Sequence, residues 1–158
     1  MTRSNAREIA MHLSFALGAD PQSAREQIER LLDKEHYETI AAEYELYGEY
    51  PNKKQLDYIV RLATGIGEHA AELDSYIEKY AHGWKLSRIS RTAMAIMRLA
   101  MFEVLYMPDV PNAAAINDAV ELAKKYEEKE TVAFVNGVLG AFSRRELPEE
   151  SAGEKTEA

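Results

Sequence analysis

Polar and apolar positions alternate with the period of an α-helix along most of the chain, and the two-residue alternation of a half-buried strand is nearly absent. Residues 4 to 18 set Ile9, Ala10, Leu13, Ala16 and Leu17 on one face, which predicts a first helix. Asp20-Pro21 ends it and opens the next, because proline is tolerated in a first helical turn. That second helix, 22 to 33, carries Ile28, Leu31 and Leu32. A third stripe, Tyr37, Ile40, Ala41, Tyr44 and Tyr47, predicts a helix over 36 to 47 that Gly48 and Pro51 stop. A long helix follows, roughly 52 to 80, with Tyr58, Ile59, Leu62, Ala63, Ile66, Ala70, Leu73, Tyr76, Ile77 and Tyr80 on its stripe. Gly65 and Gly67 lie inside it and read as points of close helix contact or a mild bend. TGIGEH does not complete the dinucleotide pattern GxGxxG, and no strand precedes it.

His82-Gly83 breaks the periodicity. From Ser90 to Met107 the chain is apolar nearly all round, which marks a central, buried helix. Its methionines read as gap-filling core residues. Pro108 and Pro111 bracket a short linker, and Ile116, Ala119, Val120, Ala123 and Tyr126 give an amphipathic helix over 112 to 127. The last helix, about 130 to 144, contains the stretch FVNGVLG. Asn-Gly signals a hairpin only between alternating flanks, whereas Phe134, Val135, Val138, Leu139 and Phe142 keep the helical period. A glycine inside a helix costs about 1 kcal/mol relative to alanine, so Gly137 predicts another backbone packed close by. Asn136 is expected beside the apolar face, with a structural hydrogen bond. The fold class is all-α, with about seven helices.

The length, 158 residues with 46% hydrophobic, suits one domain or two tightly joined subdomains. No apolar run reaches membrane-spanning length, and the N-terminus does not read as a signal peptide, so a cytoplasmic protein is expected, with no membrane partner. The absence of cysteine excludes disulfides, thiolate metal sites and a cysteine nucleophile. Net charge is −8, against broad nucleic-acid binding, but it is unevenly placed. Residues 146–158 hold five Glu and one Lys and read as an acidic, disordered tail.

Catalytic constellations are scarce. HExxH, the P-loop pattern and GxSxG are missing. His12, His36, His69 and His82 are scattered; Asp33-x-x-His36 occurs once, and Glu68 and His69 would face different sides of a helix. No enzyme, cofactor or metal is expected. The tyrosine-rich piece at 36 to 47 reads as an amphipathic surface helix rather than an aromatic nucleic-acid platform. Glu35, Glu38, Glu43, Glu45 and Glu49 would repel phosphates. Binding chemistry is concentrated at the N-terminus, where Arg3 and Arg7 are i, i+4 and Ser4 or Asn5 is placed to cap the first helix. Forked guanidinium donors near a helix start suit phosphate.

Three blocks together resemble the NusB transcription antitermination family: WKLSRISRTAMAIMRLAMFEVLY (84–106), AINDAVELAKKY (115–126) and FVNGVL (134–139). The ARxxAMxLxF start, residues 6 to 15, is a weaker match. The resemblance implies two small helical bundles packed into one compact domain over 1–145, taken here as 1–80 and 81–145. It also implies an adaptor that binds boxA-type RNA of ribosomal RNA leader transcripts together with NusE, a small-subunit ribosomal protein, within an RNA polymerase antitermination complex. Homodimers are a further possibility that the family offers. Carried over by position, the RNA-binding residues are Arg3, Ser4, Asn5, Arg7, Phe15, Lys124, Glu130 and Phe134. Arginines plus an exposed aromatic fit single-strand recognition.

The chain departs from the family pattern in four places. Ser4 and Asn5 stand where many relatives are basic, and Ala133 where lysine is frequent. Ala93 stands where an acidic residue often faces NusE, and the segment 36–47 is extra length. A similar domain precedes an RNA cytosine methyltransferase, but that chemistry needs a cysteine nucleophile that this chain lacks. A helical protein–protein module without RNA binding is the alternative reading.

Overall fold

A computed structural model describes residues 1–17 and 20–147. The acidic-tail reading for residues 148–158 lies outside the described residues. The described residues contain eight α-helices and no strand. They fall into two units, Met1–Glu68 and a second that begins at His69.

The first unit holds α1 (Arg3–Ala16), α2 (Pro21–Leu31), α3 (Lys34–Ala41) and α4 (Lys53–Glu68). Its helix starts follow the sequence. Thr2, Asp20 and Asp33 each accept a hydrogen bond from a backbone N–H three residues on, and Pro21 opens α2. Asn52 and Gln55 cap α4 reciprocally, each side chain taking the other's backbone N–H at 2.9 Å. The unit's main packing is α1 against α4, through Ile9, Ala10, Leu13, Ile59, Leu62 and Ala63. Ala16, expected on the buried stripe of α1, is exposed instead.

The predicted helix over 36 to 47 is shorter. α3 ends at Ala41, and a 3-10 turn at Glu45–Tyr47 follows. Three tyrosines close this corner. Tyr37 meets Tyr47 and Tyr50 edge-on with ring centroids 5.1 and 5.0 Å apart, and its hydroxyl donates to the Glu49 carbonyl. His12 Nδ1 lies 2.8 Å from the Tyr47 hydroxyl. Burial pushes both the Tyr37 and the Tyr47 phenol up to about 12, because a phenolate would lose its hydration there.

The second unit holds α5 (Ala70–Tyr80), α6 (Arg91–Tyr106), α7 (Asn112–Tyr126) and α8 (Lys129–Glu146). The helix expected over 52 to 80 is therefore two helices, interrupted at His69. α5 packs on α6 and α8, so the units divide at Glu68–His69 and not at 80/81. α6 is the central element expected from its all-round apolar sequence. Ala93, Ile96, Met97, Leu99, Ala100 and Met101 are fully buried. Buried alanines on both α6 and α7 (Ala115, Ala119, Ala123) let side chains interlock across a close helix pair. Arg98 on α6 makes a forked ion pair with Asp74 on α5, at 2.7 and 2.9 Å. Tyr80 and Lys79 both donate to the Glu146 carboxylate, which ties α5 to the end of α8.

Two expectations for FVNGVLG are overturned. Val135, Val138, Leu139 and Phe142 are buried as the period requires. Gly137 is exposed, however, and a Cβ built there meets nothing within 4 Å. Asn136 is exposed too. At 100° per residue, position 137 falls nearly opposite the buried face and 136 well to its side. No neighbouring backbone demands the glycine.

Candidate nucleic-acid interface

The expected RNA-binding residues are divided between the two units: Arg3, Ser4, Asn5, Arg7 and Phe15 belong to the first, and Lys124, Glu130 and Phe134 to the second.

In the first unit, Arg3, Ser4 and Asn5 form the exposed first turn of α1. Neither Ser4 nor Asn5 is its N-cap: Thr2 is, with its hydroxyl 3.0 Å from the Asn5 backbone nitrogen. Arg3 lies over the ring of Tyr58, with its guanidinium carbon 4.5 Å from the centroid. That cation–π contact holds a flexible side chain in one place. Arg3, Lys54, Tyr58, Asn52 and Gln55 surround a shallow hollow of about 210 Å³. Gln55 is held in turn by the Met1 carbonyl, to which its amide donates at 2.9 Å. The hollow thus carries two cations, an aromatic ring and two amides.

Arg7 is placed differently. It is 2% exposed, on the same face of α1 as the buried Ala10 and Met11, and it is engaged within the protein. A charge so buried must be paired or hydrogen bonded. The terminal amine pairs with Glu49. The basic patch at the N-terminus therefore presents Arg3, backed by the exposed Lys53 and Lys54, and not a pair of arginines. Phe15 is half-buried.

In the second unit, Lys124 is exposed on the last turn of α7, where a cation suits the helix dipole. It pairs with Glu121 at 2.9 Å. Glu130 is exposed in the first turn of α8. Phe134, half-buried, lies against Trp84, with ring centroids 4.6 Å apart and planes at 40°. Gly83, whose φ of +80° an L side chain adopts only with strain, makes the turn that delivers Trp84. Trp84 is 40% exposed, with the exposed Lys85 and Arg88 following it. Ala93 is fully buried and presents nothing to a partner.

In the sequence Trp84 stands out only as a family marker and Tyr58 only as part of an apolar stripe; in the structure Trp84 is exposed on the second unit and Tyr58 lines the hollow of the first. A signal for Trp84 is present nonetheless. A large aromatic directly after a His-Gly break has no helix to bury it. His69 and Glu72, candidates for metal ligands by residue type, are otherwise occupied. His69 stacks on Tyr106 with centroids 4.2 Å apart, and the Tyr106 hydroxyl donates to Glu72. Each unit by itself carries chemistry that suits binding: Arg3, Lys54 and Tyr58 on the first, and Trp84, Phe134 and Lys124 on the second.

Comparisons with known proteins agree with the fold. The model of the NusB family matches residues 4–144. The transcription antitermination protein NusB of Acetivibrio thermocellus is 40% identical over 93% of this chain and 92% of its own length. That of Ruminiclostridium cellulolyticum is 34% identical over 100% of this chain and 99% of its own. A solved structure of T. maritima NusB superposes with a TM-score of 0.69 at 25% identity, covering 100% of this chain and 99% of that one. With a family match over nearly all of the described helices and relatives of this similarity along the full length, the chain belongs to the NusB family of transcription antitermination proteins.

Proposed function

We propose that this protein is an antitermination adaptor that binds boxA-type RNA of ribosomal RNA leader transcripts jointly with NusE, as part of an RNA polymerase antitermination complex. The observation that carries the reading is the pairing of the exposed Trp84 with the half-buried Phe134, aromatic surface on which bases stack without regard to hydrogen-bond pattern. Arg3, Ser4 and Asn5 supply phosphate contacts and polar donors from the first turn of α1, and Lys124 supplies a further cation. Glu130 accepts from exocyclic amines, and Phe15 adds a half-buried ring on the first unit. Arg7 acts by holding α1 rather than by touching RNA.

The burial of Arg7 also favours a second reading, a helical protein–protein module that has lost RNA contact. Fewer exposed cations mean fewer phosphate contacts. Binding of a boxA RNA at low salt, with and without the organism's own NusE, separates the two. Ternary assembly that RNA strengthens supports the adaptor. Equal NusE binding with and without RNA supports the protein-only module.

A further inference from the structure

A groove runs along α8 beside its buried face, with Val138 at the edge of both. Phe134, Gly137, Val138, Ala141, Arg144 and Arg145 line it, with Tyr80 and His82 on the far wall, and it encloses about 430 Å³. The α8 residues recur at helical spacing and form one continuous stripe. From Phe134 to Arg144 the stripe rises ~15 Å at 1.5 Å per residue. An aromatic ring stands at one end and two guanidinium groups at the other.

Three features argue that the groove is built to hold something anionic and planar. First, among the described residues neither Arg144 nor Arg145 pairs with a carboxylate. The nearby acid, Glu146, is occupied by Lys79 and Tyr80, and these two hydrogen bonds hold its carboxyl below the usual carboxylate range. Second, the middle of the stripe is made of small residues, Gly137 and Ala141, and Gly137 is glycine although its Cβ would meet nothing. A helix gains about 1 kcal/mol from alanine at such a position, so packing among the described residues does not call for the glycine. Third, Arg144 folds back along α8 towards Phe134. Its Nη1 lies 3.2 Å from where a Cβ on Gly140 would sit, so the glycine there makes room for it. Arginines in a last helical turn also complement the helix dipole, but that accounts for their charge and not for the groove.

We propose that this groove is a second RNA-contact site, which takes nucleotides flanking the boxA element as they leave the Trp84–Phe134 surface. The inference rests on the RNA-adaptor reading and shares Phe134 with it. Guanidinium forks match phosphate oxygens, and an aromatic ring beside small apolar residues accepts bases of any identity. Contact here is therefore sequence-tolerant and sensitive to RNA length.

The test compares a minimal boxA RNA with the same RNA lengthened by unstructured nucleotides at its 5′ end, its 3′ end or both. Each is bound to the full chain with NusE, as wild type and as the double variant R144Q/R145Q. In wild type, lengthening at one end tightens binding roughly tenfold, as charge-assisted contacts of this kind provide. The variant loses that gain and binds the minimal RNA as wild type does. Its salt slope on the long RNA is shallower by about 1.4, for two phosphate contacts on a single strand. Equal binding of long and short RNA by wild type, or an unchanged gain in the variant, overturns the groove proposal alone. A polyglutamate peptide that binds wild type but not the variant, without any length gain, makes the groove a protein site and also overturns it. Failure of both RNAs to bind wild type overturns the adaptor reading and this proposal with it.

Discussion

The Trp84 and Phe134 rings meet with centroids 4.6 Å apart, although one comes from a turn before α6 and the other from the second turn of α8. Trp84 is the chain's single tryptophan. Its emission therefore reports on one place. Binding of boxA RNA is expected to quench that emission in a saturable way, because a base stacked on the pair enters van der Waals contact with the indole. Phe134→Ala is expected to weaken RNA binding by about 1–3 kcal/mol, the usual worth of one stacked base. A titration with unchanged emission, alongside RNA binding measured by an independent method, would remove the pair from the RNA surface.

Arg3 and Arg7 occupy successive turns of α1 and do different work. Arg3→Ala removes an exposed cation and one cation–π contact. It is expected to leave the melting temperature nearly unchanged and to reduce RNA affinity with a shallower salt slope. Arg7→Ala removes a charge that is 2% exposed and the interaction it makes within the protein. That is expected to lower stability by about 3 kcal/mol or more. Thermal melts followed by circular dichroism check both. A wild-type melt for Arg7→Ala would show that Arg7 is not part of the fold's support.

At Gly137 the expected effect of substitution is a gain. With nothing within 4 Å of a Cβ, alanine adds helix propensity and removes no contact. Gly137→Ala is expected to stabilise the second unit by about 0.5–1 kcal/mol, a rise of roughly 2–4 °C in Tm. A fall in Tm would mean that the position is closed by a neighbour after all. If the groove holds RNA, the same variant should bind the long RNA less well while melting higher.

Helix existence is legible in the sequence because amphipathic stripes repeat wherever a helix packs on a core, and the all-round apolar stretch from Ser90 to Met107 singles out α6 as the central helix. The break at His69 is not legible, since Ala70, Leu73 and Tyr76 continue the stripe across it and no side chain caps α5. Gly137 misleads because a helical glycine need not answer to a neighbouring backbone. The direction of its missing Cβ, set by the stripe itself, points away from the core. Arg7 misleads for a similar reason. Its spacing from Arg3 suggests a pair, but its place beside Ala10 and Met11 fixes its burial. The Trp84–Phe134 and Arg3–Tyr58 pairs depend on contacts between segments far apart in sequence, which periodicity does not encode.

The tyrosine corner of the first unit gives the protein an alkaline limit. Tyr37 and Tyr47 have phenols raised from the ordinary 10.0 to about 12, chiefly by burial. Unfolding exposes both, so the unfolded chain releases these protons at lower pH than the folded one. Between pH 10 and about 12 the folded state therefore binds more protons, and stability falls as pH rises. Below pH 10 the full contribution is present. The expected result is a first unit whose denaturant midpoint drops over that window while phenolate absorbance grows. Tyr47→Phe removes one of the titrating groups and flattens the drop, at the cost of the hydroxyl that faces His12 Nδ1 at 2.8 Å. A slope for Tyr47→Phe equal to that of the wild type would show that the buried corner does not set the limit.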